Sequence, residues 1–311
     1  MPTQSEPAPR GEWAARTTDT SKRSVFGNYR AEGAPASGST CPEVAPQRAG
    51  PETGAPLQSA IDLAMARSFI HRFLAKAYED PMPETWRWLT QAQTIYSLRA
   101  ANVFAGQSLL RSAEALISAL QPAGFDSFLN AYLAAFGHAA RGSCPLNEIE
   151  YGDIKADPLF QPHRLADLAA FYRAFGLEVA EDAGERQDHI CLELEFMCVL
   201  AAKEAYAHEH QVDADQLAQC RDAQKKFLRE HLGRWTPAFA RRLAAATNEP
   251  ALRALAEFTR AFVESECVRF GVNPGSEELS LRPVDEAADR ACDSCGINNL
   301  PPGALAAEAA T

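Results

Sequence analysis

Residues 185–208 read ERQDHICLELEFMCVLAAKEAYAH. This is the longest strongly periodic stretch of the chain, and it predicts a helix over 189–208 with Ile190, Leu194, Met197 and Ala201 on one face. Asp188 stands where an N-cap belongs, and His189 and Glu193 follow one turn apart on a shared face. The preceding EDAGERQ (181–187) is polar and contains Gly184, as a hinge would. Cys191 and Cys198, seven positions apart, are expected to pack as small hydrophobes.

The same rhythm continues outward. Over 57–79, Ile61, Met65, Phe69, Phe73 and Ala77 recur every fourth position until Pro81 and Pro83 end the helix. Another helix starts near Glu84, and more are expected at 107–120, 125–140 and 164–177. After the central stretch come 214–232, 237–246 and 250–269, with Thr236 and Pro237 as an N-cap and first-turn pair. No segment alternates like a strand. The expected fold is all-α: a helical bundle of two halves, about 57–180 and 188–271, joined by a hinge.

Two tails flank this body. Residues 1–56 hold eight of the 20 prolines and six of the 18 glycines, too little apolar surface to offset the entropy of ordering, and are expected to be a disordered leader. Residues 272–311 read as a loop-like tail carrying Cys292-Asp293-Ser294-Cys295, a C-x-x-C. One internal segment breaks the helical rhythm. RGSCPLNEIEYGDIKADPLFQPH (141–163) is long for a connection in a helical domain, and it mixes Leu146, Ile149 and Tyr151 with Glu148, Glu150 and Asp153.

A formal net charge of −11 argues against nucleic acid as the main partner. No run approaches the roughly 18 apolar residues of a membrane span, and the N-terminus lacks the apolar stretch of a secretory signal, so a cytoplasmic location is expected. In a reducing compartment the eight cysteines stay as thiols.

HRLADLAAFYRAFGLEVAEDAGERQDHICLELEFMCVLAAKEAYA (163–207), followed by KKFLREHLGRWTPAFARRL (225–243), resembles the TorD/DmsD/NarJ family of chaperones dedicated to molybdenum-containing oxidoreductases. Asp188-His189, the run Glu193 to Met197, and His231-Leu232 before Trp235 carry the resemblance, which extends over about 57–271. It implies an all-helical bundle, monomeric or a domain-swapped homodimer, that is no enzyme and holds no cofactor of its own. Such a protein binds the catalytic subunit of a molybdoenzyme, or its twin-arginine signal peptide, and delays export until the molybdopterin cofactor is inserted. By motif, Asp188 and His189 correspond to the family's hinge pair implicated in signal binding. CPLNEIEYG (144–152) is similar to its acidic-aromatic segment, making Glu148, Glu150 and Tyr151 peptide-binding candidates with Trp235. A cationic leader with an apolar run calls for an apolar groove rimmed by carboxylates.

Two other readings stay open. One is a helical metal-dependent hydrolase using His189 and Glu193, although H-E-x-x-H, P-loop and G-x-S-x-G motifs are absent from the chain. The other is a zinc or iron–sulfur protein centred on Cys292 and Cys295, which lack a second close cysteine pair.

Overall fold

In a computed structural model, which describes residues 51–137, 142–152, 160–180 and 184–282, the stretch expected to be helical over 189–208 is the helix Ile190–Glu209. In chain order the helices are α1 (Pro51–Tyr78), α2 (Pro83–Thr90), α3 (Ala92–Ala105), α4 (Gln107–Leu120), α5 (Phe125–Phe136), α6 (Phe160–Ala174), α7 (Ile190–Glu209), α8 (Ala214–Glu230), α9 (Leu232–Ala246) and α10 (Pro250–Arg269). Among the described residues the only other regular elements are one 3-10 turn, Glu148–Glu150, and two isolated antiparallel bridges. The fold is an all-α bundle.

The apolar face expected on α7 is too narrow. Leu192 and Phe196 are as deeply buried as Ile190, Leu194 and Met197. A helix that is apolar nearly all round belongs in the interior, and α7 is central. It packs along the whole of α1, antiparallel to it: Ser68 Oγ donates to the Cys198 carbonyl at 3.0 Å, while the other end of α1 lies beside Cys191. Helix α3 covers α1, α4 and α9 pack on α10, and α8 packs on α7. Helices from either side of the 181–187 connection therefore share one core, in which Phe73, Phe196, Phe227, Phe239 and Phe258 are fully buried.

Several boundaries differ from expectation. Helix α1 begins at Pro51, inside the stretch read as leader, because proline suits a first helical turn. The helix starting near Glu84 is two helices that break at Gln91. Helix α6 starts at Phe160, four residues before the expected 164. Residues 1–50 and the Cys292/Cys295 pair lie outside the described residues.

Thr236 and Pro237 do not start a helix. Helix α9 begins at Leu232 and carries Pro237 in its interior. A proline there cannot bond the carbonyl four residues back, which is that of Gly233. The N–H of Gly275, from the segment after α10, takes the place and reaches the Gly233 oxygen at 2.9 Å. The approach leaves no room for a side chain on Gly275, and the packing of α9 on Leu228 and Cys267 leaves none on Gly233. A Cβ on Gly275 would stand 1.8 Å from the Arg234 carbonyl oxygen, and one on Gly233 would stand 2.4 Å from the Leu228 carbonyl oxygen. Residues 272–282 are free of helix, as expected, but are tied to the body by this bond.

One polar cluster interrupts the apolar core. Arg67 on α1, with 1% of its surface exposed, donates through Nε to Glu266 on α10 at 2.8 Å and through Nη1 to Glu204 on α7 at 2.7 Å. Gln224 on α8 accepts from Nη2, and the guanidinium lies 5.0 Å from the centre of the Phe270 ring. Burial pushes the Glu266 carboxyl up, but Arg67 and His71 outweigh it and hold it well below the ordinary range. Breaking one partner of such a buried pair costs about 3–5 kcal/mol, because the other charge is left unmatched.

No helix of the described residues is long and apolar enough to cross a membrane.

Two outcomes are expected. In urea denaturation at pH 7, Gly275→Ala loses at least about 2 kcal/mol, since backbone rather than a flexible side chain meets the added carbon. For Glu266 the folded chain binds the proton less tightly than the unfolded chain. Its contribution is therefore complete above the ordinary carboxylate range and falls away as pH drops below about 4.5. Glu266→Gln is less stable at pH 7 by about 3 kcal/mol, and loses less further stability than the parent between pH 5 and pH 3.

Candidate functional site

The segment 142–152 is irregular, but the N–H groups of residues 148–152 all find acceptors. Tyr151, fully buried, donates its hydroxyl to the Pro145 carbonyl at 2.8 Å and closes the loop on itself. Cys144 is buried with its thiol directed at the Phe239 carbonyl, and burial pushes that thiol up to about 12. Between them the 3-10 turn Glu148–Glu150 presents two carboxylates toward the start of α7.

Asp188 fastens the loop there. It does not cap α7, as the sequence suggested. The N-cap is His189, whose Nδ1 accepts from the Cys191 N–H at 3.3 Å. Burial lowers His189 to about 4, with Asp188 opposing and Arg186 assisting, so the imidazole is neutral at pH 7 and free to accept. The Asp188 carboxylate instead accepts from the Ile149 N–H at 3.1 Å and from Asn147 Nδ2 at 3.2 Å. Backbone bonds flank it: Glu148 N–H to the Asp188 carbonyl and Ile190 N–H to the Leu146 carbonyl, both 2.9 Å.

The carboxylates carry a set of cations. Glu148, with no exposed surface, takes His231 Nδ1 at 2.8 Å, Arg234 Nη2 at 3.0 Å and Arg164 Nη2 at 3.3 Å. The other ring nitrogen of His231 meets Asp167 at 3.1 Å. Burial would raise Glu148, but His231, Arg164 and Arg234 outweigh it and keep the carboxyl below its ordinary value. Arg186 spans Asp188 and Glu150, at 2.9 Å and 3.4 Å through Nη2, and its side chain is 42% exposed. Arg282 approaches Glu150 from the other side, with Nε 3.9 Å from Oε2.

Glu193, one turn into α7, is a different case. It accepts from Trp235 Nε1 at 3.1 Å, while its second oxygen has no hydrogen-bond partner. Burial and the nearby Glu148 charge raise its carboxyl well above the ordinary range.

The six candidate residues therefore fall into one neighbourhood. Glu148, Glu150, Asp188 and His189 meet at the head of α7, and Tyr151 and Trp235 stack beside them with ring centres 5.0 Å apart. All six are buried. Arg186, beside Asp188 and Glu150, and Asp167, beside His231, are the members most open to solvent, while the carboxylates of Glu148, Glu150 and Asp188 are all buried. Two small hollows lie around Phe73, Leu89 and Phe128, and none of the six lines either of them. Among the described residues no group of three or more His, Cys, Asp or Glu is placed to hold a metal ion.

Arg164, Arg186, His231, Arg234 and Arg282 escaped the sequence reading as site residues. Arg186 is two positions from Asp188 and His231 lies in a quoted motif, but Glu148 and His231 are 83 positions apart and only the fold pairs them.

Replacing Asp188 by Ala strips acceptors from the Ile149 N–H, Asn147 and Arg186 together. The expected loss is about 2–3 kcal/mol, with the Ile149 amide losing hydrogen-exchange protection while amides in the middle of α7 keep theirs.

Residues 106–241, from the end of α3 to within α9, match the family model described as "Nitrate reductase delta subunit". The chain is similar to the selenate reductase assembly chaperone protein of Thauera selenatis, at 35% identity over 145 residues, 45% of this chain and 72% of that one. It is also similar to the perchlorate reductase assembly chaperone protein of Dechloromonas aromatica (strain RCB), at 26% identity over 66% of this chain and 90% of that one. With the chaperone protein TorD of Vibrio cholerae serotype O1 (strain M66-2), identity is 29% over 38% of this chain and 52% of that one.

Proposed function

Because this chain belongs to the TorD/DmsD/NarJ family, the one matched by the nitrate reductase delta subunit model, we propose that it is a cytoplasmic assembly chaperone for the catalytic subunit of a molybdenum-containing oxidoreductase. It binds that subunit or its twin-arginine signal peptide, catalyses no reaction, and releases the client for export once the cofactor is in place. The three relatives are chaperones by name, and two of them are named assembly chaperones, for reductases of selenate and perchlorate.

The observation that carries the reading is the position of Arg186. A guanidinium partly open to solvent rests on the two buried carboxylates of Asp188 and Glu150 and covers them from the solvent side. Carboxylates so arranged match the planar fork of an arginine, and a client's leader supplies two. On binding, one leader arginine exchanges with Arg186, so charge matching persists and no bare carboxylate is left behind. Asp188, His189, Glu150 and Tyr151 form the recognition surface, with Glu148 and Trp235 supporting it from within.

The test is calorimetric titration with a synthetic peptide of two adjacent arginines followed by an apolar run, alongside co-purification with a tagged catalytic subunit. Binding in the micromolar range or tighter is expected, and Glu150→Gln, which keeps shape while removing charge, weakens it about tenfold, or about 1.4 kcal/mol. Absence of heat with leaders from several oxidoreductases, together with no co-purifying subunit, would sink the reading.

A further inference from the structure

The segment after α10 does more than satisfy the Gly233 carbonyl. Beyond Gly275 it crosses α9 and reaches the acidic loop, where residues 280–282 lie antiparallel to 150–152. The Gly152 N–H donates to the Ser280 carbonyl at 2.8 Å, and the Arg282 N–H donates to the Glu150 carbonyl at 2.8 Å. Tyr151 and Leu281 face each other across this pairing, and Leu281 packs on the apolar core. The arrangement is a peptide in extended form on a backbone edge, with an apolar side chain inward and an arginine on Glu150.

We propose that this edge of the loop is the docking edge for an extended, arginine-bearing segment of the partner polypeptide, and that residues 280–282 occupy it in cis as a competitor. The inference rests on the proposed function and specifies how the site is reached. The occupant's chemistry is read from the segment seated there: backbone donors and acceptors for the edge, one apolar residue, and a cation for Glu150. Addition of a strand to an exposed backbone edge is a general mode of peptide recognition.

The resident segment is built to leave. Arg282 engages Glu150 loosely, for its Nε is buried without a hydrogen-bond partner and stands 3.9 Å from the carboxylate. Between Gly275 and the edge the strap is held by Leu279, which packs partly buried on the core, by two long bonds from Arg241 and Arg242 to the Glu277 and Leu279 carbonyls at 3.3 Å and 3.5 Å, and by surface ion pairs, Arg260 to Glu277 at 3.2 Å and Arg241 to Glu278. Surface pairs of this kind contribute little and are screened by salt. The firm anchor is the Gly275–Gly233 bond, upstream of the competing residues. Residues 276–282 can therefore lift while α9 keeps its carbonyl satisfied.

Competition in cis lowers apparent affinity by the fraction of molecules whose edge is vacant. With the edge filled about nine-tenths of the time, a variant that frees it binds about tenfold tighter. The experiment uses the full chain, its Arg282→Gln and Leu281→Ser variants, and the same synthetic twin-arginine peptide, read by calorimetry and by hydrogen exchange. The expected result is a Kd about tenfold lower in both variants, with amides of 276–282 in the parent losing protection when peptide is added. An unchanged or higher Kd in the variants, with 276–282 still protected in the peptide complex, overturns the proposal and leaves the functional reading intact. No binding by the parent or by either variant overturns that reading, and this proposal with it.

Discussion

Glu148 sits with no solvent contact, and a bare carboxylate there would cost several kcal/mol. Two arginines, Arg164 on α6 and Arg234 on α9, together with the ring of His231 between α8 and α9, make the position tolerable. This charge matching constrains the elements around it. It holds the turn Glu148–Glu150 against α6 and α9, while Asp188 ties the same turn to the head of α7. Glu193 shows the other solution to burial. Its partner is the neutral indole N–H of Trp235, and burial together with the Glu148 charge raises its carboxyl well above the ordinary range.

The bundle is braced at two places along its central helix pair. Arg67 ties α1 to α7, α8 and α10 around Glu204, Gln224 and Glu266, and the acidic clasp secures the start of α7. The two differ in construction. The Arg67 brace links helices only, in regular backbone that packing already holds. The clasp is made of irregular segments, 142–152, 184–189 and 276–282, held by side chains and a few main-chain bonds. Segments with such sparse support open at lower free energy than core helices. A surface drawn from them can rearrange while the α1–α7 pair stays intact.

How much of this was legible in the residues varies with the range of the interaction. Helices announced themselves through local spacing, as in Ile61, Met65, Phe69 and Phe73, and the long acidic-aromatic loop stood out by its lack of period. Pro237 misled, because proline signals a helix start unless something else answers the orphaned carbonyl, and Gly275 lies 42 residues from Gly233 in the chain. Asp188 misled for a similar reason: its carboxylate is taken by Arg186 and by donors on another segment, at Asn147 and Ile149, so it left the cap to His189.

The sequence alone determined the helical class, the place of the loop and the family, since each rests on short-range pattern or on motifs read in line. Only the tertiary structure decided which charges meet. Glu148 with His231, Glu150 with Arg186 and Arg282, and Arg67 with Glu266 are joined across 36 to 199 positions. Side-chain charge has no period along a chain, and a carboxylate's partner depends on which helix faces it after packing. The chain announces that it has acids to bury, and the fold chooses the cations that let it bury them.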